Sequence, residues 1–218
     1  MSSLAVAAIA CGTAPFGVAA AIRLNVRGYR RSTDRHRLRR GAWWLAPAIP
    51  VVAATWTALL SPRTPAWPAA VLVACGWLIA TETDLDVHRI PDAVTLPSYA
   101  VFASTLAVLL ALHHIESATV TTAFASSLTL AGISLVLGII TGQVGLGDVK
   151  LLAGVGLVLG AVSVPTVCVA VALMTLIGIA ASSYTLLRGR GTTTTPLAAG
   201  PGITAGALLA PVVMALAR

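Results

Sequence analysis

Carboxylates that could do chemistry are concentrated in two short segments of this chain. Of its seven Asp and Glu residues, five lie in residues 82–92 (ETDLDVHRIPD) and 145–150 (GLGDVK). Both segments border long apolar runs, where an acidic side chain is costly to keep beside lipid and is therefore interpreted as functional. Asp84 and Asp148 are the leading candidates. Two carboxylates that share a site can divide the roles of general acid and general base.

The composition is that of a protein dissolved in lipid. The 218 residues are 57% hydrophobic and 10% charged, with a mean hydropathy of +0.92, whereas soluble domains are about 25% charged. Apolar runs recur from end to end, which excludes a soluble domain with a single anchor. In the first run, 4–22, basic residues follow the apolar stretch, the reverse of a secretory signal, so the run is interpreted as a retained helix.

The apolar runs predict an all-α fold, a polytopic transmembrane helical bundle of about eight spans. A spanning helix needs roughly 20 predominantly apolar residues. By that measure the predicted spans are 3–22, 43–60, 67–82, 93–112, 119–140, 150–163, 165–187 and 199–217. Only the sequence Ser163-Val164-Pro165 divides the sixth span from the seventh. A single bent helix over 150–187 would reduce the count to seven.

Arginine and lysine predict the orientation of the spans. Eight arginines lie between Arg23 and Arg40, more than half of the 14 basic residues, and such loops remain in the cytoplasm. The N-terminus is therefore predicted outside, and residues 83–92, 141–149 and 188–198 in the cytoplasm. The same basic loop accounts for most of the net charge of +7. It is interpreted as contacting anionic lipid headgroups, with docking of a soluble partner as the alternative, and not as binding nucleic acid.

Most ionisable residues of the first segment have a simpler interpretation than catalysis. Glu82, Asp86, His88 and Arg89 are interpreted as solvated loop charges at a span boundary. Pro91 suits the first turn of the next helix, and Asp92 a helix N-terminus, where negative charge is favourable. Asp84 is set apart by the resemblance described below.

The second segment combines glycines with an acid at a helix start. Gly145 and Gly147 are expected to allow turns closed to other residues and close approach of a partner. Asp148 is then placed where a side chain can cap free amides, and capping is as good an explanation as catalysis from these residues alone. A phosphate-binding loop is excluded because no Gly-x-x-x-x-Gly-Lys-Ser/Thr motif is present.

Together the two segments resemble the prepilin peptidase family, intramembrane aspartyl proteases of the Gly-x-Gly-Asp type. The family's first motif is an aspartate seven residues before Pro-Asp or Pro-Asn, matched by Asp84 and the pair Pro91-Asp92. Its second is Gly-x-Gly-Asp followed by Val/Phe/Met-Lys-Leu, matched by Gly145 to Leu151. A weaker likeness is the late Pro-x-x-x-Gly-Pro, matched by Pro196 to Pro201. The resemblance covers residues 67–217.

The resemblance implies an aspartic endopeptidase that removes the short basic leader from type IV pilin-like, single-span precursors at the cytoplasmic face of the inner or plasma membrane. It implies Asp84 and Asp148 as the catalytic dyad, without metal or other cofactor. The residues expected to position the loops and the substrate are Gly145, Gly147, Lys150, Pro91 and Asp92. Residues 67–218 would form a six-span peptidase core and 1–66 an N-terminal two-span region.

One departure limits what the resemblance implies. Many members carry two Cys-x-x-Cys pairs in the first cytoplasmic loop, associated with zinc and with N-methylation of the new pilin terminus. The loop from Arg23 to Gly41 contains no cysteine, and Cys-x-x-Cys occurs nowhere in the chain. Peptidase activity is therefore carried over, and methyltransferase activity is not.

Two other classes of function fit the same acids less well. A transporter could use Asp84 and Asp148 to bind ions or relay protons, but it would be expected to place acids near mid-bilayer, and these lie at span ends. A metal-dependent membrane transferase could use Asp84, Asp86, Asp148 and His88 as ligands. Activity that depends on added magnesium would favour that class.

A run of small residues follows the second segment. Gly154, Gly156 and Gly160, with Ala153 and Ala161, give a small-residue face of the kind that lets membrane helices approach closely. The sequence therefore predicts tight helix packing next to the candidate site.

Overall fold

The computed structural model describes residues 3–26, 42–87, 90–142, 144–187 and 199–217, and these residues contain helices and no β-strand. A short 3₁₀ helix covers Ala42–Trp44. The α-helices are α1 (Ser3–Val26), α2 (Leu45–Leu60), α3 (Trp67–Val87), α4 (Asp92–Ala111), α5 (Ser117–Thr141), α6 (Leu146–Gly160), α7 (Val164–Leu187) and α8 (Gly200–Leu216). The all-α prediction is confirmed, with one helix for each predicted span.

Five stretches are long and apolar enough to cross a membrane. They are Ala42–Leu60, Trp67–Asp86, Asp92–Ala111, Ser117–Thr141 and Val164–Tyr184, and shorter apolar stretches cover Cys11–Leu24 and Gly200–Leu216. The described chain is thus a polytopic helical membrane bundle. Eight crossings and an outside N-terminus remain predictions.

The division between the sixth and seventh predicted spans is real. Helix α6 ends at Gly160 and α7 begins at Val164. Ser163 lies just before α7, and its hydroxyl accepts a hydrogen bond from the Thr166 backbone N–H at 3.3 Å. Because such a side chain satisfies one of the unpaired amides at a helix start, the chain turns here and a single bent helix is excluded.

Helix α3 is the centre of the bundle. Its buried residues join one hydrophobic core with residues from α2 and from α4 to α8. Trp56 of α2 and Trp77 of α3 meet edge to face with ring centroids 5.7 Å apart, and Trp56 Nε1 donates to the Leu208 carbonyl of α8 at 3.2 Å. Aromatic pairs of this geometry add to the stabilisation from burial alone. The middle of α3 is therefore packed tightly against its neighbours.

The small-residue face of α6 packs closely, as predicted, and Gly156 and Gly160 meet α5. A Cβ atom on Gly156 would lie 2.5 Å from the Ser126 carbonyl oxygen, and one on Gly160 would lie 2.8 Å from the Ser126 Cβ. The Ser127 hydroxyl also donates to the Ala153 carbonyl at 2.8 Å. Only glycine permits this separation of the two backbones, which fixes where α6 begins relative to α5.

We expect Gly156→Ala to destabilise the protein by about 3 kcal/mol, the upper end of what overpacking costs, because its methyl group would meet backbone atoms that cannot rotate away. The matched control is Gly132→Ala in the middle of α5, where an added Cβ meets nothing within 4 Å. Thermal unfolding of both variants in detergent micelles measures the difference. Equal melting temperatures for the two variants would contradict the packing argument.

Candidate active site

Residues 82–87 of the first acidic segment lie on α3 itself, not in a loop. Helix α3 continues to Val87, five residues beyond the predicted end of its span. Asp84 is 6% exposed, Glu82 5% and Asp86 3%. The interpretation of Glu82 and Asp86 as solvated loop charges was therefore wrong, because the last turns of this central helix stay inside the bundle. His88 and Arg89 lie outside the described residues.

Asp84 is bound to the N-terminus of α8. The Gly200 backbone N–H donates to Asp84 Oδ2 at 3.0 Å. Gly200 is the first residue of α8, whose amide has no partner within its own helix, and a helix N-terminus stabilises negative charge. A Cβ atom on Gly200 would lie 2.7 Å from Asp84 Oδ2 and 3.1 Å from Asp84 Cγ. Glycine is thus required for this contact.

Asp148 occupies the third position of α6 and makes the local contact expected of a capping residue. Its Oδ2 accepts a hydrogen bond from the Gly145 backbone N–H at 3.2 Å. This is half of a capping box, in which a side chain in the first turn reaches back to the residue before the helix. The capping interpretation was therefore correct for the contact, and it leaves the chemistry of Asp148 open.

The two aspartates lie close enough to influence each other. Asp148 precedes the predicted span 150–163 and is partly buried. Burial raises the pKa of the Asp148 carboxyl, the Gly145 N–H opposes that rise, and the nearby charge of Asp84 raises the pKa further. Burial and a neighbouring like charge both disfavour the ionised form. Asp84, near the end of α3, and Asp148, at the start of α6, therefore lie within electrostatic range of each other.

The residues predicted to position the loops join the two segments. Lys150 Nζ lies 2.7 Å from Asp92 Oδ1 in a partly exposed ion pair between α6 and the first turn of α4. Pro91 immediately precedes α4, and its carbonyl accepts from the Thr95 amide. A Cβ atom on Gly147 would lie 3.3 Å from the Ile90 Cβ. These contacts tie the start of α6 to the start of α4.

The conformational reason given for the two motif glycines was wrong. Gly145 is extended, with φ −77° and ψ 155°, and Gly147 lies within α6. Among the described glycines the left-handed conformation occurs at Gly142, φ +66°, which ends α5. Gly147 is explained by its approach to Ile90, whereas an added Cβ on Gly145 would make only ordinary contact with Asp148.

Comparison with known proteins identifies the chain. A model of the type IV leader peptidase family matches residues 71–181, just over half of its length and including both acidic segments. The chain belongs to the type IV leader peptidase family. No curated protein and no solved structure matches it. With its apolar helices it is a membrane protease of the prepilin peptidase type, from a family of aspartic proteases that act on prepilin-like substrates.

The sequence analysis did not predict two contacts at the site of this peptidase, one made by Gly200 and one made by Trp44. Gly200 lies in the Pro-x-x-x-Gly-Pro pattern, which marks this position as notable. The pattern does not indicate a contact with Asp84, because nothing in the sequence places α8 against α3. Trp44 Nε1 donates to Glu82 Oε2 at 2.7 Å. That contact joins residues 38 positions apart, and no spacing rule would have found it.

The described part of the peptidase contains no group of three His, Cys, Asp or Glu side chains arranged to hold a metal ion. His88, one of the ligands considered for a metal-dependent transferase, lies outside the described residues. Asp84 and Asp148 each accept a hydrogen bond from a backbone amide, Gly200 for Asp84 and Gly145 for Asp148.

We expect Asp148→Asn to stabilise the peptidase at neutral pH. The pKa of Asp148 is raised on folding, so the folded state binds the proton of this carboxyl more tightly than the unfolded chain does. The free energy of unfolding therefore falls as the pH rises from about 3.9, the ordinary aspartate pKa, through the raised pKa. Asparagine keeps an acceptor for the Gly145 amide and removes this loss.

Thermal unfolding of wild type and Asp148→Asn in micelles, between pH 4 and pH 8, measures this effect. The variant should melt higher at pH 7.5, and its advantage should shrink as the pH falls toward 4. Glu116→Gln, an exposed acid-to-amide change just before α5, is the matched control. An advantage that is constant across the pH range would show that burial of the charge is not its source.

Proposed function

We propose that this chain is an intramembrane aspartyl endopeptidase that cuts the short basic leader from type IV pilin-like precursors, with Asp84 and Asp148 as its dyad. The observation that carries the proposal is that these two carboxylates, from separate motif segments, lie within electrostatic range of each other. Each carboxylate has its own backbone donor. The arrangement suits a pair that holds one water molecule and shares one proton.

The different surroundings of the two carboxylates support different roles. The Gly200 amide at the start of α8 stabilises negative charge on Asp84, which suits Asp84 to take a proton from the attacking water. The raised pKa of Asp148 suits that residue to give its proton to the scissile carbonyl oxygen. As it loses this proton, the water oxygen bonds to the carbonyl carbon and forms a tetrahedral diol. The C–N bond breaks when Asp84 gives its proton to the leaving amine, and a hydroxyl of the diol returns a proton to Asp148.

The cytoplasmic location of the site is part of the proposal. It is supported by the arginine-rich loop that follows α1. Arg23 lies in the last turn of α1, and residues 27–41 lie outside the described residues. Alternation of the helices puts the end of α3 and the starts of α6 and α8 on the side of that loop. We further propose residues 67–218 as the peptidase core and 1–66 as an attached two-span region, whose Trp44 contacts Glu82.

The position of the buried acids favours a peptidase over a transporter. A protein that moves ions through the bilayer needs ionisable groups along its path. The described buried acids, Glu82, Asp84 and Asp86, all lie in the last six residues of α3. The other described buried polar side chains are threonines and one serine. A site at a helix end suits a substrate whose cut bond lies just outside its apolar segment.

The purified enzyme, mixed in micelles with a candidate precursor from the same genome, tests the function. Mass spectrometry should show a product that has lost only its N-terminal leader, with and without a chelator. An unrelated single-span protein is the control substrate and should stay intact. If cleavage requires added magnesium, the metal-dependent alternative is correct. If a folded enzyme leaves every pilin-like precursor of the genome uncut, the proposal is wrong.

A further inference from the structure

An apolar groove lies between α1, α3 and α4, and neither aspartate lines it. It has a volume of about 780 Å³. Its walls include Phe16 and Ala19 from α1, Leu72 and Ile79 from α3 and Val101 from α4, and no acidic side chain lines it. Because α3 and α4 are candidate spans, the groove lies at the depth of lipid acyl chains.

One end of the groove carries a positive charge. Arg23 lines it there, in the last turn of α1. Among the described residues Arg23 has neither an ion pair nor a hydrogen-bonded partner, and its side chain is exposed. A guanidinium group binds phosphate oxygens through paired, charge-assisted hydrogen bonds. An apolar channel that ends at such a group matches a molecule with an acyl chain and an anionic phosphate.

Helix α1 is held on one side and open on the other. A Cβ atom on Gly17 would lie 2.8 Å from the Ala46 carbonyl oxygen, so α1 packs closely on α2. On its other side, α1 is separated from α3 and α4 by the groove. The space between α1 and α3 can therefore take an occupant, and the charge of Arg23 disfavours a segment with a basic leader.

We propose that this groove binds one anionic phospholipid, with an acyl chain along α3 and its phosphate on Arg23. The bound lipid would complete the packing of α1 against the peptidase core. This inference does not depend on the proposed cleavage reaction, since neither aspartate lines the groove.

Native mass spectrometry of the full chain, released from micelles containing equal amounts of phosphatidylglycerol and phosphatidylcholine with identical chains, tests the proposal. Wild type should retain one phosphatidylglycerol in preference to phosphatidylcholine. Arg23→Gln should lower that preference about tenfold, the size expected for a charged hydrogen bond. Arg63→Gln, which removes a charge from the turn after α2, should leave the preference unchanged.

Ala19→Trp provides a second, independent variant. Its indole would fill the groove from the exposed face of α1. The variant should therefore fail to retain the lipid although Arg23 is unchanged. Thermal unfolding checks that each variant is folded. Equal retention of the two lipids, an unchanged preference in Arg23→Gln or full retention in Ala19→Trp would overturn the proposal. Displacement of the lipid by the apolar segment of a precursor would overturn it too, because the groove would then belong to the substrate.

Discussion

Asp84→Asn and Asp148→Asn should each reduce precursor cleavage by about a thousand-fold or more. General acid–base catalysis by one group contributes about 10²–10⁴-fold, and the two members of a dyad act as a unit. Asparagine preserves the size of the side chain and an oxygen that can accept from Gly200 or Gly145. It removes the proton that the mechanism transfers. Cleavage of a co-expressed precursor, followed by its shift on a gel, measures the loss.

The double variant distinguishes a dyad from two independent contributions. Residues that act as a unit are strongly non-additive, so Asp84→Asn with Asp148→Asn should lose little more activity than either single change. Glu116→Gln, which removes an exposed acid at the opposite end of α4 and α5, should cleave at the wild-type rate. If either aspartate variant remains active while present in the membrane, that residue is only a helix cap or a structural charge, and Asp86 becomes the next candidate.

The helical framework could be predicted because the bilayer imposes it. Spans of about 20 apolar residues are readable directly, and the predicted runs agree with helices α1 to α8 to within a few residues. The close packing of α6 could also be predicted, since Gly156 and Gly160 allow another backbone to approach, although the sequence did not identify α5 as the partner. Both features are local in the sequence.

The burial of the acidic segment could not be predicted in the same way. Glu82 and Asp86 belong to a polar stretch that looks like a loop, and their burial follows from the central position of α3 among α2, α4, α6 and α8. Central position is a property of the assembled bundle and leaves no pattern in α3 itself. Likewise, the hydrogen bond from Gly200 to Asp84 spans 116 residues and depends on how α8 docks against α3.

Gly200→Ala should lower the turnover number of the peptidase about 10- to 100-fold with little change in KM. The added methyl group would lie 2.7 Å from Asp84 Oδ2, so either the carboxylate or the start of α8 must move. A displacement of about 1 Å at a catalytic group can cost about 100-fold in rate. Because Asp84 would be displaced while both aspartates remain, the loss should be smaller than in Asp84→Asn.

Gly202→Ala is the control that separates this effect from a general change at the N-terminus of α8. Its methyl group would meet Ile177 Cγ2 at 3.8 Å, an ordinary contact, and it makes the same chemical change two residues away. Thr81 and Thr204, whose hydroxyls lie 2.8 Å apart, hold α8 against α3 in both variants. If Gly202→Ala impairs turnover as much as Gly200→Ala, the close approach of Gly200 to Asp84 has no particular importance for catalysis. A loss of turnover in Gly200→Ala alone would show that the start of α8 positions Asp84 to take a proton from the attacking water.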